Sequence, residues 1–311
     1  VGSRRVAGVR YGLRGCSVGV ARASSSAEAA SPAPAGGAAD DVLPDNLFGA
    51  VVDSAQATTE CLRSGANSRC LVELLIPELW DPISGNMMAE EGDQQRMWEL
   101  AREFCEQLVA AGSAGAASAQ VRAVFPDAGV AALLQNRWPD ASFSFASLND
   151  RKVLRPGDDD VDLIVMCCPD PPGLESTRRI ALEAEEGGKA VVLFNPRLAS
   201  GDVGIGLAVR RMRDTFLSRF TITYSIRPVD AGSVFRRFPG QWQVFWADAE
   251  RPGRFRLIAE QARRPGGDEL EAIIIGSVGG GPAGEAEGAG DNPLAALGRT
   301  LASFQRFLNS L

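Results

Sequence analysis

The stretch V-D-L-I-V-M-C-C at Val161–Cys168, followed by L-E-S-T-R-R-I-A-L-E-A-E-E at Leu174–Glu186 and K-A-V-V-L-F at Lys189–Phe194, decides the fold class. The first and last segments are almost wholly apolar and five to eight residues long, as strands buried on both faces are. The middle segment has helical periodicity, and Gly187-Gly188 ends it. Strand, helix and strand in that order form a crossover unit, which places the two strands parallel.

Working outward, the same alternation continues. Asp45 is positioned to cap a helix running to about Ser64, where Gly65 stops it, and Cys70–Ile76 follows as a short strand. Glu91–Ala111 is a helix with Met97, Leu100, Phe104 and Leu108 on one side, and Gln120–Phe125 is a strand ended by Pro126. A short helix near Gly129–Asn136, a weaker strand near Ser142–Ser147 and a helix near Ile205–Thr215 complete the set. The period then changes. Arg219–Arg227 alternates, predicting a half-solvated strand with Phe220, Ile222, Tyr224 and Ile226 on one face. Ser233–Phe238, Trp242–Trp246 and Arg254–Glu260 follow, separated by Pro239-Gly240 and Pro252-Gly253. The predicted fold is α/β: a mostly parallel sheet with helices on both faces, extended by an antiparallel strand meander, with a separate C-terminal helix.

Charge is segregated along the 311 residues. Residues 1–39 carry +4, residues 40–204 carry −14, residues 205–265 carry +7 and residues 266–311 carry −4. The first block holds five arginines, a serine run and one acid, Glu28, the composition of an organelle transit peptide running into a Pro/Gly spacer. The domain division read from this is a transit peptide and spacer at 1–39, one α/β domain at 40–276, a Gly-rich linker at 277–291 and an amphipathic helix at 292–311. That helix starts at Asn292-Pro293 and carries Leu294, Leu297, Leu301, Phe304, Leu308 and Leu311 as an apolar seam. It docks either on its own domain or on a partner or membrane surface.

The sequence has no histidine. Ser-His-Asp and Cys-His nucleophile systems and His-ligated metals are thereby excluded within it. None of the six cysteines forms a C-x-x-C pair, and Cys167-Cys168 reads as a buried pair of small apolar side chains before it reads as a redox pair. There is no phosphate-binding P-loop, and Gly204-Ile205-Gly206 lacks the third glycine of a dinucleotide fingerprint. No metal and no cofactor are expected.

Two features are candidates for function. The strands end in a repeated way, so Glu78, Asp127, Asp170, Asn195 and Arg197 fall along the carboxyl rim of the sheet, where open α/β sheets bind ligands. Acids there could hold Mg²⁺ or transfer protons, or simply cap helices. The second is the basic meander with Arg219, Arg227, Arg236 and Arg237, which serves either an anionic or acidic partner or the chain's own acidic half. Alternation turns Trp242 and Trp246 toward the core, so nucleic acid is not the expected partner.

L-V-E-L-L-I-P at Leu71–Pro77, V-R-A-V-F-P-D at Val121–Asp127, D-L-I-V at Asp162–Val165, V-V-L-F-N-P-R-L at Val191–Leu198 and R-R-F-P-G-Q-W at Arg236–Trp242 resemble a known pattern. It is that of the domain-of-unknown-function family of chloroplasts and cyanobacteria that includes the plant Low Photosystem II Accumulation protein three. The resemblance spans roughly Leu43 to Ile275, with Pro77, Asn195, Pro196, Pro239, Gly240 and Trp242 as motif positions. It implies a plastid protein, stromal or peripheral to thylakoids, that is non-enzymatic and assists photosystem II assembly or stability through thylakoid or photosystem assembly proteins. The alternative is an enzyme or binding domain for a phosphorylated small molecule or nucleotide at the strand-end rim.

Overall fold

The computed structural model describes residues 42–75, 91–113, 120–154, 160–198, 207–229 and 231–278. The N-terminal block, Pro77, Glu78 and the terminal seam with Leu297, Leu301 and Phe304 lie outside these described residues. Among the described residues, no helix is long and apolar enough to cross a membrane.

Helix α1 (Leu47–Ser64) is capped by Asn46, one residue after the expected Asp45, because the Asn46 side-chain Oδ1 is the one that accepts from the Gly49 N–H. Gly65 closes it at φ 68°, a left-handed conformation that a side chain would resist. Strand β1 (Arg69–Leu74), helix α2 (Glu91–Ser113), strand β2 (Gln120–Phe125), helix α3 (Ala128–Arg137) and strand β3 (Ser144–Ser147) follow. Then come β4 (Val161–Cys167), α4 (Leu174–Glu186), β5 (Ala190–Phe194), α5 (Leu207–Thr215) and β6 (Thr221–Val229). The chain closes with β7 (Gly232–Arg237), β8 (Trp242–Ala247), β9 (Phe255–Gln261) and α6 (Gly267–Val278).

Among the described residues, nine strands join one sheet in the order β3-β2-β4-β5-β1-β6-β7-β8-β9. The pairs from β3 through to β6 are parallel, and β6 to β9 pair antiparallel. The fold is therefore the expected α/β class, a mostly parallel sheet prolonged by an antiparallel meander. Val165, Val192, Phe194 and Val72 are fully buried under α1, α2 and α3, whose Val51, Phe104 and Leu134 share that core. Ile164, Met166 and Leu193 point to the opposite face and pack with Ile180 of α4 and Met212 of α5. Each such side chain contributes about 1.5–3 kcal/mol by leaving water, which is why these strands need no polar face.

The two faces fix the position of a crevice. Strand β1 is followed by a helix on the α1 side, whereas its neighbour β5 is followed by a helix on the α4 side. Adjacent strands whose connections leave on opposite faces open a cleft at their carboxyl ends.

The meander departs from simple alternation. A register shift opposite Leu71/Val72 of β1 puts Ile222 with the α4–α5 core, while Tyr224 and Ile226 lie in the α1–α2 core, so these residues do not share one face. The extra residue, Thr223, is fully buried and its hydroxyl lies 2.9 Å from that of Thr58 on α1. The middle of β6 is thus covered on both sides and not half-solvated. A second shift opposite Val244/Phe245 adds an extra residue, Ile258, to β9; on β8 Phe245 lies in the α1–α2 core, with Trp242 on the other face and Trp246 half-buried. Gly232 allows β7 and β8 to approach closely, since a Cβ there would meet the Phe245 carbonyl oxygen at 2.0 Å. Helix α6 runs two residues into the stretch expected as a linker at 277–291; Asp268 and Glu269 in its first turn suit a helix start.

Candidate functional site

The described rim residues are occupied by backbone. Asp127 accepts from the Val130 N–H at 2.9 Å and caps α3. Asp170 accepts from the Gly173 N–H at 3.1 Å and caps the single turn that leads into α4. Asn195 adopts φ 45°, a left-handed conformation that asparagine tolerates better than most residues, and its Oδ1 accepts from the Leu74 N–H at 2.6 Å. Its own N–H donates to the Val72 carbonyl, so Asn195 ties the end of β5 to the end of β1 across the cleft. Pro196 ends β5, and the Arg197 N–H donates to the Pro169 carbonyl at 2.8 Å. The Arg197 Nε is buried without an acceptor. Cys168 beside it has φ 50°, and burial pushes its thiol well above the usual range.

The basic meander is engaged largely by the chain's own acids. Arg219 pairs with Glu185 at 2.9 Å, and Glu185 also meets Arg69. Arg237 pairs with Asp53 at 3.1 Å and Glu60 at 2.9 Å on α1, and these carboxylates push its pKa up. Arg227 is partly buried in β6. Pro239 and Gly240 form a tight turn between β7 and β8: the Phe238-Pro239 bond is cis and the Gly240 N–H donates to the Arg237 carbonyl at 2.8 Å.

Arg236 differs. Consecutive ladders align Glu73 of β1 with Ser225 of β6, Ser225 with Arg236 of β7, Arg236 with Trp242 of β8, and Trp242 with Gln261 of β9. Paired residues project to the same face, so these five form one straight row across the sheet. Arg264, just beyond β9, folds back along it. Its Nη2 forms an ion pair with Glu73 and donates to the Ser225 hydroxyl at 3.0 Å, and that hydroxyl lies 3.0 Å from the Glu73 carboxylate. Both guanidiniums lie over the Trp242 ring, Arg264 at 4.6 Å and Arg236 at 5.6 Å from the centroid. Trp242 is 2% exposed, so the indole is a buried floor beneath the two cations. The Arg236 side chain has no hydrogen bond or ion pair among the described residues; burial lowers its pKa, and its Nε, the Arg264 Nε and the Gln261 Nε2 are buried without acceptors.

Arg236 and Trp242 were singled out from sequence, whereas Glu73, Ser225, Gln261 and Arg264 were not. The row begins at the carboxyl end of β1, next to the Leu74 N–H that Asn195 holds. Asn195 of the N-P-R-L motif thus holds β1 one residue beyond Glu73, whereas Arg236 and Trp242 of the R-R-F-P-G-Q-W motif lie two and three strands further along the row.

The five described cysteines are buried and free of disulfides. The neighbouring Cys61 thiol raises the Cys70 pKa while Cys70 lowers that of Cys61, and burial and Cys105 raise Cys167. Among the described residues, no group of three Cys, Asp or Glu side chains is placed to hold a metal ion.

No curated protein and no solved structure matches this chain. The family model Domain of unknown function (DUF1995) matches residues 44–272, which takes in every strand and the rim and row residues described above. The chain belongs to that family.

Proposed function

We propose that this chain is a non-enzymatic auxiliary protein of the chloroplast, at the stroma or the stromal face of the thylakoid, that assists the assembly or stability of photosystem II. In this reading its role is similar to that of the plant Low Photosystem II Accumulation protein three. The observation that carries the non-enzymatic part is the use made of the rim: Asp127, Asp170 and Asn195 each accept a backbone N–H. Side chains committed to caps are poorly placed to act as a general acid and base. The plastid part is supported by the Arg-rich, nearly acid-free composition of residues 1–39. The photosystem part rests on the motif resemblance at Asn195-Pro196 and Pro239-Gly240.

The test is a pull-down with the tagged full chain from fractionated chloroplasts under a graded salt wash. Photosystem II subunits or their assembly factors in the bound fraction are expected, above a control carrying the tag alone. Recovery of no thylakoid protein, from both stromal and membrane fractions, overturns the reading.

A further inference from the structure

The row across β1, β6, β7, β8 and β9 contains more donors than acceptors. A guanidinium presents five N–H donors and no acceptor. Arg264 spends its Nη2 on Glu73 and Ser225, which leaves its Nε and Nη1 donors unmatched among the described residues. Arg236 spends none, and the Gln261 amide nitrogen adds a further buried donor without an acceptor. One carboxylate, Glu73, faces two arginines, so the row keeps a net positive charge.

Unmatched buried donors cost about 1–3 kcal/mol each when no acceptor is supplied, and a half-buried unpaired cation costs more. Two arginines nearby are neutralised by acids: Arg219 has Glu185, and Arg237 has Asp53 and Glu60. Arg236 lies directly beside Arg237 in sequence but faces the side without those acids. The two row arginines are also held in place, Arg264 by Glu73 and Ser225 and both by the Trp242 ring. Stacking and pairing of this kind preorganise a guanidinium fork, which reduces the entropy lost when it grips a bidentate anion.

We propose that Arg236 and Arg264, on their Trp242 floor and with the Gln261 amide, bind a small oxyanion, a phosphate or carboxylate group of a soluble compound. Both groups accept two parallel N–H bonds from one guanidinium, which is the geometry the row offers. Trp242 is already covered and contributes no stacking surface to the ligand, so recognition is polar. This inference is independent of the photosystem assignment, since it concerns the purified chain alone.

The test is thermal unfolding and calorimetric titration of the purified full chain with inorganic phosphate and, separately, with succinate, at constant ionic strength set by chloride. A saturable rise in Tm with at least one of them is expected. Arg236→Gln should weaken that binding at least tenfold, and Arg264→Gln likewise, while Arg178→Gln, on α4, leaves it unchanged. Response to phosphate alone assigns a phosphoryl ligand, and response to succinate alone assigns a carboxylate. Arg264→Gln also strands Glu73; if that variant fails to fold, Arg236→Gln decides. The absence of a saturable response to both anions, or an Arg236→Gln variant that binds as the parent does, overturns the proposal.

Discussion

The parallel and antiparallel halves of the sheet use polar residues in opposite ways. In the parallel half, polar side chains at strand ends satisfy backbone: Asp127, Asp170 and Asn195 each accept an N–H, and the strands between them are apolar on both faces. In the antiparallel half, a charged row crosses the sheet itself, and two arginines lie over Trp242 with donors to spare. A parallel sheet sandwiched between helices has no room for such a row, because every mid-strand side chain meets a helix. Beyond β1 the α4–α5 core gives out after Leu71 and Ile222, and the next positions along those strands, Glu73 and Ser225, begin the row. The comparison teaches that the parallel half acts as scaffold and that recognition chemistry concentrates in the meander.

The largest effect is expected where the meander's geometry is tightest. Gly232→Ala places a Cβ against the Phe245 carbonyl, backbone against backbone, so β7 and β8 must separate. A loss of roughly 3 kcal/mol or more in denaturant unfolding is expected, and a loss under about 1 kcal/mol would show that the ladder is looser than described. In the parallel half, Asn195→Ala strands the buried Leu74 N–H and is expected to cost about 1–3 kcal/mol by the same measurement. Asn195→Gly suits the left-handed backbone but lacks the acceptor, so it should recover only part of that loss.

A pH scan sharpens the contrast at the boundary between the halves. The Tyr224 hydroxyl is buried without a partner, and burial raises its pKa above the ordinary value of 10.0. A raised folded-state value means that the contribution is fully present below the unfolded pKa and is lost as pH climbs past it. Stability should therefore fall above about pH 10, and Tyr224→Phe should flatten that fall while leaving stability near neutral pH the same or slightly higher. An alkaline profile identical in both proteins would place the sensitivity elsewhere, in the buried thiols. The smallest effect belongs to the paired arginines: Arg237→Gln breaks partly exposed contacts to Asp53 and Glu60 and should cost under about 1 kcal/mol, less still in high salt.

Legibility in the sequence followed the same boundary. The parallel strands are visible because Val161–Cys168 and Lys189–Phe194 are apolar runs bracketed by Pro and Gly, and a cap such as Asp127 follows from its place before a helix. The row is invisible locally. Glu73, Ser225, Arg236, Trp242 and Gln261 align only because four ladders hold a particular register, and one of those ladders contains a shift at Leu71/Val72 that alternation cannot anticipate. The same shift separates Ile222 from Tyr224. Helix α6 had a signal, Gly266-Gly267 before Asp268-Glu269, but the glycine-rich sequence beyond it obscured the helix.

The division of labour between the halves is tested most directly by comparing Arg236→Gln in the meander with Arg197→Gln at the rim, where, among the described residues, an arginine Nε is likewise buried without an acceptor. Both full-length variants would be titrated with phosphate and succinate at fixed ionic strength. The account predicts that Arg236→Gln abolishes the saturable Tm rise and Arg197→Gln preserves it. The reverse pattern would place recognition in the parallel half and contradict the account.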